Sequence, residues 1–265
     1  MSDESATDPA DDEPSPEGFD SIYDRIPESA VYRAIVARAQ PDLPSWLVPF
    51  SAITFAELEW LARELAVDEN AAFVDLCCGA GACSLWMAER TGAELTGVDW
   101  SKEAIAAARR LAERRDAKRA TFAVADATRT GLPSAAFDGL MSIDAIIFLA
   151  PHEAAREVAR LLRPDGRVAL TAWEFPEPHR ETLVADYRPV FEAQGFRIVR
   201  HETYDSDAVE WRFFEAVIER ATDLRAEIGA SAEPVIGEAE AAIASKRDGT
   251  RRPRRRVLLS AVKAR

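Results

Sequence analysis

From Ala71 onward, short runs of apolar, β-branched and aromatic residues alternate with stretches whose apolar residues recur at helical spacing. This is the pattern of βαβ units built on a parallel sheet. It predicts strands over Phe73–Cys78, Glu94–Asp99, Thr121–Ala125, Phe137–Ile143 and Arg167–Trp173, with helices filling the gaps. Ser101 stands where an N-cap belongs, and Ala104, Ile105, Ala108 and Leu111 follow it on one face. Pro164-Asp165-Gly166 marks a turn into the fifth strand.

Both flanks read differently. Residues 1–20 hold eight Asp or Glu and no Lys or Arg, too little apolar surface to offset ordering entropy, and are expected to form a disordered acidic tail. Helical spacing over Val31–Arg38 and Ile53–Leu65 predicts two or three helices between residues 21 and 70, a helical cap ahead of a main domain at 71–265. After Glu174 the pattern predicts a helix over Glu181–Gln194, a strand over Arg197–Tyr204, two helical stretches between Asp207 and Ala244, and a last strand over Arg256–Val262. The excursion at 205–250 is expected to be a helical insertion or lid.

The candidate chemistry lies at predicted strand ends. Val74-Asp75-Leu76-Cys77-Cys78-Gly79-Ala80-Gly81 runs from a strand through a small-residue turn into a helix, which lets backbone amides approach a ligand closely and favours an anionic group at the helix N-terminus. Asp99 ends the second strand about 20 residues later, the position from which a carboxylate reaches ribose hydroxyls. Trp100 beside it offers a flat face for a purine, or plain packing. Asp126 ends the third strand, on the same rim as Asp75 and Asp99 if the sheet is parallel, and ligands of open α/β sheets bind outside such strand ends.

Composition narrows the class. The chain has 265 residues and a formal net charge of −13, which opposes a phosphate backbone and favours a small-molecule partner over nucleic acid. The basic run Arg251–Arg256 runs against this balance; a nucleic-acid patch is the minor alternative, and the run is read as a solvated loop leading into the last strand. No apolar run approaches a membrane span, and the N-terminus lacks a secretory pattern, so a cytoplasmic protein is expected. Cys77, Cys78 and Cys83 lie too close together for a disulfide framework or a spaced zinc site, and no metal is expected.

The segments VDLCCGAGACS, GVDWS, VADATRTGLPSAAFDGLMSIDAIIFL and LLRPDGRVALTAWE together resemble class I S-adenosylmethionine-dependent methyltransferases, most closely bacterial small-molecule enzymes of natural-product type. The resemblance implies an α/β, Rossmann-like sheet of seven strands in the order 3-2-1-4-5-7-6, with strand seven antiparallel and helices on both faces. It implies S-adenosylmethionine as cofactor and S-adenosylhomocysteine as product. It also implies that Asp75, Gly79 and Gly81 surround the methionyl part, that Asp99 binds the ribose, and that Trp100 flanks the adenine. Asp126 and the Ala127 N–H would meet the adenine ring, and backbone near Ser142 and Ile143 the methionyl amine. Cys77 departs from the family pattern by occupying the position of its first glycine.

Methyl transfer from a sulfonium requires alignment and exclusion of water more than a fixed catalytic group. A base serves only for some acceptors, and Asp144, His152 and Tyr23 are the candidates, with Glu174 further off. Asp144 and His152 have ordinary alternatives as a turn cap and an exposed helix-start residue, and His179 and His201 are read as surface residues. A non-catalytic or non-methylating S-adenosylmethionine-binding protein is the alternative. A nicotinamide-dependent oxidoreductase is disfavoured because Ser84 falls where its third glycine belongs. A homodimer is left open.

Overall fold

The Ser15 hydroxyl accepts the Gly18 N–H at 3.1 Å and Pro16 supplies a helix-ready φ, so α1 (Pro16–Tyr23) starts inside the stretch expected to be a disordered tail. The computed structural model describes residues 15–265; the rest of that expected tail, residues 1–14, lies outside the described residues. Two further helices precede the sheet. Ser29 caps α2 (Ala30–Ala39), and Thr54 with Glu57 forms a reciprocal capping box on α3 (Phe55–Leu65).

Seven strands form one sheet: β1 (Ala72–Leu76), β2 (Glu94–Asp99), β3 (Ala120–Val124), β4 (Phe137–Ile143), β5 (Leu162–Glu174), β6 (Phe196–Tyr204) and β7 (Arg255–Lys263). Their order is β3-β2-β1-β4-β5-β7-β6, and β7 runs antiparallel to both neighbours, as the family resemblance implied. Side chains alternate between two cores. Phe73, Met141, Ala169 and Leu258 face one side, and Val74, Leu140, Val168 and Leu259 face the other. The inner strands β1, β4, β5 and β7 are thus apolar on both faces, as a sheet covered by helices on both sides requires, while the edge strands β3 and β6 are largely exposed.

The crossover helices are α4 (Ala82–Thr91), α5 (Lys102–Arg114) and α6 (Pro151–Leu161). Between β3 and β4 the expected helix is replaced by a loop over residues 125–136. In β5, Leu162 pairs with Phe137, residues 163–166 bulge out around Asp165 (φ 63°), and Arg167 resumes opposite Gly139. The helix expected over Glu181–Gln194 shrinks to α7 (Arg188–Glu192). Pro189 fits only a first helical turn and disfavours helix before it, while Val184 accepts the Phe175 N–H at 2.9 Å.

The excursion before β7 holds α8 (Asp207–Glu219), α9 (Ala221–Ile228) and α10 (Glu233–Asp248), three helices where two were expected. Glu227 of α9 accepts the N–H groups of Ala30 and Val31 at 2.8 and 3.0 Å, tying this layer to the start of α2. Among the described residues no helix is long and apolar enough to cross a membrane.

Candidate functional site

Parallel β1, β2, β3, β4 and β5 end on one rim, and a cavity of about 390 Å³ opens above it. Beyond β1 the backbone turns sharply: Cys77, Gly79 and Gly81 have φ of 60°, 52° and 76°. All three lie in the left-handed region that side chains avoid, so Cys77 holds a strained conformation where glycine would be unstrained. A Cβ on Gly81 would come within 2.9 Å of the Ala108 Cβ, which keeps α4 close to α5. A Cβ on Gly79 would come within 2.5 Å of the Tyr23 hydroxyl.

Two of the three expected acids line the cavity. Asp75 is buried; Ser84 donates to its Oδ2 at 2.5 Å, while its Oδ1 has no hydrogen-bond partner. Burial pushes its carboxyl up to about 7, with the Ser84 bond pulling down and the nearby Asp99 charge pushing further up. Asp99 is also buried and accepts the Gly79 and Ser101 N–H groups, each at 2.9 Å. Burial raises its pKa, and those backbone donors oppose the rise.

Asp126 is placed differently. Its side chain is exposed, does not line the cavity, and accepts the Thr128 N–H and hydroxyl at 2.8 Å, building the turn after β3. Its neighbour Ala127 is buried and does line the cavity, as do Trp100 and Ile143.

Helix α1 forms part of the roof. Asp20 accepts the Ser101 hydroxyl at 2.6 Å and the Glu103 N–H at 3.3 Å, so its carboxylate sits at the N-terminus of α5. This brings Phe19 within 5.8 Å of Trp100 and 5.6 Å of Phe148, and Tyr23 within 5.9 Å of Phe50, ring centre to ring centre. Burial and the Asp99 charge raise the Tyr23 phenol well above its ordinary value. The Tyr23 hydroxyl therefore holds its proton more tightly than a free phenol does.

The other two candidates, Asp144 and His152, are placed differently. Asp144, at φ 56°, lines the cavity, but Ser51 and Thr171 donate to it at 2.9 and 2.8 Å and Arg256 at 2.6 Å. Its carboxylate is occupied by structure. His152 is exposed in the first turn of α6 and is not among the cavity residues, because the helix carries it outward.

The basic run is no solvated loop. Arg251 and Arg254 both pair with buried Glu210, Arg255 with buried Glu174, and Arg256 with buried Glu57 as well as Asp144. Arg254 also lies 4.1 Å over the Trp173 ring. Glu57, Glu210, Arg254 and Arg256 were missed in the sequence. The available signal was an acid on the apolar face of each of two helices, Glu57 in FAELEWLAREL and Glu210 in DAVEWRFF, each requiring a cation.

Glu174, Asp186 and His201 stand within metal-binding reach of one another. Their oxygens are already used: Glu174 accepts the Tyr187 N–H at 2.8 Å, Arg255 at 2.7 Å, and lies 2.8 Å from the His201 ring, while Asp186 pairs with Arg188. His201 is thus half-buried in an ion-pair network, not a surface residue. Glu174 faces this network and does not line the cavity.

Known proteins agree with this architecture. Residues 73–166 match a methyltransferase domain family. The chain is 32% identical over 132 residues to methyltransferase GfsG of Streptomyces halstedii, covering 49% of this chain and 47% of that protein. It thus spans about half the length of that relative. It is 35% identical over 156 residues to a demethylmenaquinone methyltransferase of Thermus thermophilus, covering 57% of this chain and 68% of the relative. The cyclopropane synthase MmaA2 of Mycobacterium tuberculosis shares the fold with a TM-score of 0.73 at 15% identity, covering 96% of this chain and 100% of that one. The chain belongs to the class I S-adenosylmethionine-dependent methyltransferase family.

Proposed function

We propose that the protein binds S-adenosylmethionine on the β1–β2 rim and transfers its methyl group to a small-molecule acceptor of secondary-metabolite type. The observation that carries this reading is the unpartnered, buried Oδ1 of Asp75 beside the left-handed Cys77–Gly81 turn. A buried carboxylate oxygen without a donor is costly, and a cationic amine of the methionyl group would satisfy it. The N–H groups at the start of α4 suit the methionyl carboxylate, and the neutral Tyr23 hydroxyl over Gly79 is a further donor near it.

Asp99 is the proposed ribose ligand. Each of its oxygens takes one backbone N–H and retains acceptor capacity for a sugar hydroxyl. Trp100 would flank the adenine, with the Ala127 N–H on the ring edge. Asp126, exposed and bonded to Thr128, is left out of this proposed site.

When bound, the cofactor supplies a sulfonium methyl for in-line displacement. The chain's own task is to orient both reactants and keep water out, which the aromatic roof of Phe19, Tyr23, Phe50 and Phe148 is suited to do. The paired state of Asp144 and the absence of His152 from the cavity argue against a dedicated base. A reducing cytoplasm suits the three free thiols at the turn.

The test is calorimetric titration of the pure protein with S-adenosylmethionine and S-adenosylhomocysteine, followed by an assay for S-adenosylhomocysteine formation with a panel of uncharged acceptors. Binding and turnover are expected; failure to bind either nucleoside would overturn the proposal.

A further inference from the structure

Asp75 is a buried acid without a cation. Its Oδ2 accepts the Ser84 hydroxyl at 2.5 Å, and its Oδ1 has no hydrogen-bond partner among the described residues. The groups that bear on it are neutral or acidic: Asp99 from β2, Cys77 and Cys78 from the turn, and Cys83 from the first turn of α4. Tyr23 of α1 places its hydroxyl over the adjoining Gly79. From β4, Met141 pairs with Asp75 in register, and Asp144 beyond it is already joined to Arg256. Arg254, the only cation among the described residues lining the cavity, is paired with Glu210, and none of the chain's histidines lines it.

A carboxylate so placed loses hydration that no neighbouring charge offsets, and two events relieve it: uptake of a proton, or arrival of a cation. The two compete at Oδ1. A proton there occupies the position that an ammonium N–H needs and removes the charge that attracts it. In the ligand-free chain burial favours the proton, and the Ser84 hydroxyl, which bonds best to the ionised form, opposes it.

We infer that Asp75 is a proton gate on the nucleoside's amino-acid end, which docks only as Asp75 releases its proton to solvent, and that Ser84 is the positioning residue that sets the pH of this exchange. The inference rests on the proposed function for the ligand that Asp75 meets. Ser84 is fully buried and lies outside the cavity lining, so it acts only through Asp75. With the Asp75 carboxyl pushed up to about 7, the ligand-free protein holds the proton below that pH and binding must expel it, whereas above it the carboxylate is ready. Affinity for the amino-acid end therefore rises with pH through that window, and the Ser84 bond opens the window at lower pH.

The test is calorimetry on the full chain with S-adenosylhomocysteine and 5′-methylthioadenosine, which share adenine and ribose and differ in the amino-acid end. Their affinity ratio separates Asp75 from Asp99, because titration of a ribose ligand acts on both nucleosides. The ratio is expected to favour S-adenosylhomocysteine by about tenfold more at about pH 7.5 than at about pH 5.5, a range below that in which an α-amino group loses its own proton. At about pH 6, titrations in buffers of different ionisation enthalpy should show release of about one proton per S-adenosylhomocysteine bound. Ser84→Ala should move the midpoint of the ratio alkaline by about half a unit to one unit, the worth of one hydrogen bond, and leave 5′-methylthioadenosine affinity within about threefold. A merely structural role would weaken both nucleosides together at every pH. If Ser84→Ala does not melt cooperatively, Ser84→Cys, with its weaker S–H donor, should give a shift of the same sign. Asp75→Asn should hold the ratio low and flat. A ratio independent of pH in the unaltered chain, a pH dependence that survives in Asp75→Asn, or a midpoint unmoved in a folded Ser84 variant overturns the inference while leaving the proposed function standing. Failure of both nucleosides to bind at any pH overturns the proposed function and this inference with it.

Discussion

The Oδ2 of Asp99 accepts the backbone N–H of Gly79 at 2.9 Å, so the end of β2 holds the glycine turn that follows β1. One side chain therefore shapes the turn and, on the proposed reading, faces the ribose.

Asp99→Ala should weaken S-adenosylhomocysteine binding about 10- to 100-fold, the loss expected when charge-assisted acceptors vanish and a backbone donor is orphaned. Arg254→Ala, on the far side of β4, should change that affinity less than about threefold. Calorimetry on both variants checks the map, and equal losses would refute it.

Asp75 makes stability depend on pH. Its ordinary carboxyl value is 3.8 and its folded value is about 7. Between those values the folded protein keeps a proton that the unfolded chain has released, so this group's contribution falls as pH rises through that window. Asp75→Asn should accordingly raise the melting temperature of the ligand-free protein at pH 8 by at least about 2 °C, with little change at pH 4. The same substitution should weaken cofactor binding. A variant less stable at pH 8 would contradict the assignment.

The strained turn gives a paired prediction. Cys77→Gly should be neutral or stabilising by up to about 1 kcal/mol, because glycine adopts positive φ without steric cost. Gly79→Ala should destabilise by about 1–2 kcal/mol from its backbone conformation alone, and it displaces Tyr23 besides. Urea unfolding of both variants measures the difference.

Arg256 is fully buried between Glu57 and Asp144. Arg256→Ala leaves two carboxylates without their cation and should cost about 3–5 kcal/mol of unfolding free energy, as removal of one buried partner does. A loss below about 1 kcal/mol would mean that the pair is screened by water.

These expectations rest unevenly on the sequence. The bounds of β2 and β4 were legible from their Leu, Val, Ile, Phe and Met content between stretches of helical spacing, although polar residues interrupt both strands. Asp75 and Asp99 were legible as acids at the ends of such segments. Asp126 shares their position at a strand end but turns into its own Thr128, a choice made by local hydrogen bonding that spacing does not reveal. Helix α7 fails at Pro189, where apolar periodicity outweighed a residue that permits only a helix start. The arginines before β7 were misread because their partners, Glu57, Glu174 and Glu210, lie 41 to 199 positions away in the chain.

Strand β7 enters the sheet from the rim where its neighbour β5 leaves it, so the residues just before it arrive at the cavity instead of departing from it. The nucleoside end is built from strand exits, whose geometry is locked to the turns and helices that follow. The far wall is built from an entrance, fed by the loop between α10 and β7. One end of the cavity is thereby held by turns that the sheet itself dictates, and the other by the ion pairs that tie Arg251 and Arg254 to Glu210.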